Sequence, residues 1–173
     1  MKSVRVLIVV ALLGSLGLAQ TPKSQGRSTP VGVGFERLKS LAGEWEGTGN
    51  EDGREIPTTT SFRTVSDGSV LMNVFAAGTP HEMVTMLHMD GGDLLATHYC
   101  AAHNQPRFRF VPSSESNVVA LEFKDATNLP DPAAPHMVGV KFTFLDQNHH
   151  VEDWTILANG KTSTGRFDFH RKP

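Results

Sequence analysis

The sequence predicts an all-β protein of about ten short strands, preceded by one short helix. Three observations carry this reading. From Gly43 to the C-terminus, apolar and polar residues alternate in short runs. Turn residues separate the runs, among them Ser66-Asp67-Gly68, Asp90-Gly91-Gly92-Asp93 and Asn159-Gly160. A helical spacing stands out only in Phe35 to Leu41, where Phe35, Leu38 and Leu41 lie three apart. Short strands of this kind assemble as a sandwich or a barrel.

Taken in order, residues 1–19 read as a signal peptide. Lys2 and Arg5 give a positive start, Val6 to Leu18 is apolar, and Gly17-Leu18-Ala19 supplies the small residues that a signal peptidase reads. The expected location is therefore periplasmic or secreted, with no stable membrane insertion after processing. Residues 20–34 are rich in Ser, Pro, Gly and charge and read as a disordered leader. The domain is expected over 35–173. It opens with a helix from Phe35 to Leu41, which Gly43 follows. Trp45 then alternates with Glu44 and Glu46, and Gly47 and Gly49 share its face, leaving room for a bend or a close neighbour. Further strands are expected at Thr58 to Val65, Val70 to Phe75, Pro106 to Val111 and Val118 to Lys124. Asp125 to His136 is a long Pro-rich connection. Val138 to Phe144 alternates cleanly, and a strand with Trp154 and Ile156 inward leads through Asn159-Gly160 to a last strand carrying Phe167 and Phe169.

Met83 to Arg109 is the chemically densest stretch. It is a hairpin about Asp90-Gly91-Gly92-Asp93, a turn that needs positive φ. The face with Met83, Thr85, Leu87, Met89, Leu94, Ala96, His98 and Cys100 is slightly the more apolar, so it is turned inward. That puts His98 and Cys100 inside and Tyr99 outside. His103, Asn104, Gln105 and Arg107 follow at once.

Composition excludes several classes. The 173 residues carry a formal charge of −2 and no basic patch, so no nucleic-acid partner is expected. Cys100 is the single cysteine, so no internal disulfide holds the fold.

The short helix, Gly43-Glu44-Trp45 opening the first strand, and the antiparallel meander that follows together resemble the calycin superfamily: lipocalins, fatty-acid-binding proteins and nitrobindin-like barrels. Trp45-Glu46-Gly47 is especially similar to the nitrobindin-like opening. Thr97-His98-Tyr99-Cys100 with Asn104-Gln105-Pro106-Arg107 resembles a block in secreted bacterial calycin-like proteins of unassigned function. The resemblance spans Phe35 to Arg171 and implies an antiparallel up-and-down barrel. It also implies that Trp45 plugs one barrel end beneath an arginine of the last strand. Arg171 shares the parity of Phe167 and Phe169 and is the candidate for a cation–π contact. The last strands show no histidine suited to ligate haem, so no cofactor is expected.

Three functional readings follow. The preferred one is a barrel binding a small apolar or amphipathic ligand, with His98, Cys100, His103, Asn104, Gln105 and Arg107 as its polar contacts. Gly47, Gly49, Ala96 and Thr85 are small and favour a cavity. The second is an enzyme or metal protein centred on His98, Cys100 and His103. Their spacing matches no common zinc motif, and no oxyanion hole can be named, so no catalytic residue and no metal ligand is assigned. The third is a filled barrel acting as an interaction module, favoured by Trp154 and the phenylalanines. His149-His150 reads as a turn, and His81, His136 and His170 as solvated surface.

Overall fold

The computed structural model describes residues 30–51 and 54–173; the expected signal peptide and most of the leader lie outside them. Among the described residues, one helix, α1 (Pro30–Lys39), precedes ten strands. These are β1 (Gly43–Glu51), β2 (Arg54–Val65), β3 (Val70–Phe75), β4 (Met83–Asp90), β5 (Asp93–Tyr99), β6 (Gln105–Val111), β7 (Val118–Thr127), β8 (His136–Phe144), β9 (His149–Ala158) and β10 (Lys161–Arg171). Each strand pairs antiparallel with the next, and β10 pairs with β1 to close the barrel. No helix among the described residues is long and apolar enough to cross a membrane.

The helix starts five residues earlier than its apolar spacing suggests and takes in residues 30–34, the end of the expected leader. Proline suits the first helical position, where its missing N–H costs nothing. Gly32 and Gly34 obscure the pattern because glycine is a poor helix former. Packing decides the matter. Val31, Phe35 and Leu38 share one face, and a Cβ on Gly34 would stand 3.1 Å from the Phe110 ring. With Leu41, this face closes one end of the barrel. Phe35, Leu38 and Leu41 are buried there, each contributing roughly 1.5–3 kcal/mol of transfer free energy.

The central hairpin turns at Gly91-Gly92, with Asp90 opposite Asp93 and Gly91 at φ 58°. Asn159 and Gly160 both have positive φ, as a two-residue hairpin of this hand requires. The Pro-rich connection is shorter than expected. Strand β7 runs on to Thr127 and β8 begins at His136, so only 128–135 lie between them. Bulges between Arg107 and Phe108 and between Met137 and Gly139 bend the wall near this connection.

Gly47 and Gly49 do not open a cavity. A Cβ at Gly47 would lie 1.8 Å from the Asp168 carbonyl oxygen, and one at Gly49 would lie 2.5 Å from the Phe167 ring. Their missing side chains let β10 and its aromatics come in. Trp45, Phe108, Phe142 and Phe169 are all fully buried, so the barrel is filled from the helix end upward.

Candidate functional site

The end of the barrel opposite α1, where β5 ends and β6 begins, is covered by no helix among the described residues and is termed the open end. Hairpin register sets its central residue. Thr85 pairs with His98 across β4 and β5, and Leu94, Ala96 and His98 alternate as buried residues while Tyr99 is 50% exposed. Thr85 Oγ1 lies 2.9 Å from His98 Nδ1. Across the barrel, the Trp154 ring lies 4.8 Å from the imidazole, centroid to centroid. His98 is 2% exposed, and its Nε2 has no hydrogen-bond partner. Burial lowers its pKa to about 4, so the ring is neutral near pH 7. If the Thr85 hydroxyl donates to Nδ1, Nε2–H is a free donor; in the other tautomer Nε2 is a free acceptor.

Asn104 is the second polar residue drawn inward. Its Nδ2 donates to Pro135 O at 2.8 Å, tying the β5–β6 loop to the β7–β8 connection, and its Oδ1 is buried without a partner. Cys100 lies just past β5 and is half-buried. Its N–H donates to Asn104 O, and its Sγ accepts from Ala102 N at 3.5 Å.

The other candidates turn elsewhere. His103 is exposed in the left-handed region, at φ 64°. His98, Cys100 and His103 form no set of ligand atoms within 4.8 Å of one another. Gln105 Oε1 accepts from Thr127 Oγ1 and Asn128 Nδ2, at 2.9 and 2.7 Å. Arg107 is exposed and ion-paired with Asp125 across β6 and β7. The cause is parity: with Phe108 inward, Arg107 must face out. Gln105 and Arg107 are therefore outer-rim residues and not part of the group around His98.

A second buried polar group lies deeper, on β9. His150 Nε2 is 3.1 Å from Glu152 Oε1, and Trp154 Nε1 donates to Glu152 Oε2 at 2.8 Å. Both His150 and Glu152 are 0% exposed, and His150 Nδ1 has no partner. His150 also meets the Trp45 ring edge-on at 4.3 Å. Reading His149-His150 as a turn missed this group. The signal was available: if Trp154 faces inward, Glu152 and His150 do too. His136 is likewise not solvated surface. It is 3% exposed beside Phe123, with Nδ1 2.7 Å from Ala134 O.

At the closed end, Trp45 Nε1 donates to Leu41 O at 2.7 Å, and Arg171 Cζ stands 4.2 Å from the Trp45 ring centroid. The Arg171 guanidinium also donates to the carbonyls of Ala42, Ser40 and Gln147. Gly43 leaves it room, since a Cβ there would come within 2.6 Å of Arg171 Nη1.

No family model and no curated protein matches the chain. Solved structures do resemble it. Rv2717c from M. tuberculosis is 17% identical with a TM-score of 0.52, over 81% of this chain and 98% of that one. A protein of unknown function from the DUF3598 family, from Nostoc punctiforme, is 12% identical with a TM-score of 0.52. That match covers 78% of this chain and 48% of the Nostoc protein. At such identities the likeness carries the fold alone, a closed antiparallel barrel.

Proposed function

We propose that this barrel binds a small amphipathic molecule at its open end. The apolar part rests against Phe75, Phe167 and Met137, which are partly exposed there and packed on the core. The polar end bonds His98 Nε2. One observation carries the reading: a neutral, buried imidazole nitrogen without a partner stands against the Trp154 ring at this end of the barrel. Leaving such a group unsatisfied costs about 1–3 kcal/mol, and a ligand that bonds it recovers that cost. Asn104 Oδ1 offers a second polar contact.

The test compares His98→Ala with His88→Ala on the opposite face of the hairpin. The probes are the amphipathic dye anilinonaphthalene sulfonate and any compound extracted from the purified protein. His98→Ala should weaken binding about tenfold, the worth of one such hydrogen bond, and His88→Ala should not. Equal affinities in the two variants would make His98 structural.

The filled interior supports a second reading, a solid barrel serving as an interaction module. It predicts that neither probe binds saturably. We also propose export with removal of residues 1–19, on the charged start and apolar run of the sequence. Mass spectrometry of the native protein tests this, and an intact Met1 peptide in the soluble form would refute it.

A further inference from the structure

On the outer wall of the closed end, β9 and β10 bring three metal-ligating side chains together. His149 and His170 are register partners, and Asp168 precedes His170 by two residues on the same face. His149 Nε2 lies 2.7 Å from Asp168 Oδ1, and His170 Nε2 lies 3.6 Å from the same oxygen. The three ligand atoms all lie within 4.8 Å of one another. The two imidazoles stack at 4.1 Å and 25°. The backbone holds this arrangement in place: Arg171 N donates to Asn148 O, and Leu145 N and Asp146 N donate to His149 O. Both histidines border a surface hollow with Asp146, Gln147 and Asn148.

We propose that His149, Asp168 and His170 bind a divalent transition-metal ion, Zn2+ foremost, through three protein ligands with an open fourth position. Two imidazoles and a carboxylate are a donor set that suits zinc. Bonds of about 2.0–2.2 Å in a tetrahedron place donors roughly 3.3–3.5 Å apart. The two spacings to Asp168, 2.7 and 3.6 Å, straddle that range. The side chains are 25%, 46% and 64% exposed for His149, Asp168 and His170, so rotation can close the difference. The ion takes the place of the hydrogen bond between His149 Nε2 and Asp168 Oδ1, the metal-bound imidazole carrying its hydrogen on Nδ1. Water fills the fourth position, or Glu46 does. Glu46 is the register partner of His170 on β1, now 3.7 Å from Lys172 Nζ. This site is at the opposite end of the barrel from His98, so the two proposals stand or fall separately.

The test is calorimetric titration of the untagged full-length protein with Zn2+, with circular dichroism on each variant to confirm the fold. One ion per chain should bind in the micromolar range. His170→Ala and His149→Ala should each weaken binding at least tenfold, and Asp168→Asn should weaken it measurably. His81→Ala, an exposed histidine elsewhere, should leave it unchanged. Saturating zinc should raise the Tm of the wild type and not of the His149→Ala/His170→Ala double variant. The proposal is overturned if no saturable binding occurs below about 1 mM. It is equally overturned if one-to-one binding survives in the double variant.

Discussion

The two ends of the barrel treat their buried polar groups differently. At the closed end, Trp45 Nε1 has Leu41 O, and Arg171 spreads its donors over three carbonyls while covering the indole. Below the plug, Glu152 joins Trp154 and His150, and His150 Nδ1 is the one buried atom of this group without a partner. At the open end, His98 Nε2 and Asn104 Oδ1 are buried and unpaired. Both ends carry an inward histidine, but His150 faces a carboxylate and His98 faces Thr85 and an indole. Bonded groups lock one packing, whereas unbonded ones store free energy that a ligand can recover. The closed end is therefore held by a bonded network with a single unpaired nitrogen, and the opposite end, where two buried polar atoms lack partners, is the one proposed to take a ligand.

The largest way to break this contrast is at the plug. Trp45→Ala should cost roughly 3–5 kcal/mol in denaturant unfolding, the range for large aromatic truncations in cores. A loss below about 1 kcal/mol would mean that the closed end is not held by its indole. The acid response of His98 comes next. Its pKa in the folded protein, about 4, lies below the 6.5 of the free side chain. As pH falls through 6.5, the unfolded chain takes up a proton and the folded chain does not. Stability is thus full above pH 6.5, lost between pH 6.5 and 4, and level below as far as this group is concerned. The whole effect is on the order of 3 kcal/mol. Wild type should lose this much more than His98→Gln across that window, and parallel curves would show that burial of His98 does not control its titration. The smallest effect is expected at the rim. Arg107 is exposed and paired with Asp125, so Arg107→Ala should change stability by no more than about 0.5 kcal/mol. It should also leave dye binding unaltered. A clear loss of binding would extend the open-end site to the outer wall.

Much of the architecture was legible because β-structure writes its facing into the sequence with a period of two. The hairpin illustrates this. Gly91-Gly92 set the register, and the apolar excess on one face turned Leu94, Ala96 and His98 inward. The same rule, carried along β9 from Trp154, would have found Glu152 and His150. Composition hides this group, because a charged residue next to paired histidines looks like surface. Parity also could not say how far a strand runs. Strands β7 and β8 extend into what the prolines marked as loop, and two bulges shift the alternation beside it.

The sequence by itself determined the class of fold, the order of its elements and the inward direction of His98, since all three follow from local spacing and turn chemistry. Only the tertiary structure decided what each inward residue meets. Gly47 and Gly49 illustrate the limit: as letters they mean space, and in the closed barrel that space holds the Asp168 carbonyl and the Phe167 ring. The convergence of His149, Asp168 and His170, and the unpaired state of His98 Nε2, likewise depend on pairing register and cross-barrel packing. The physical reason is that strand periodicity is a property of neighbouring residues, whereas satisfaction and crowding depend on partners far apart in the chain, such as Gly47 with Asp168 or His98 with Trp154.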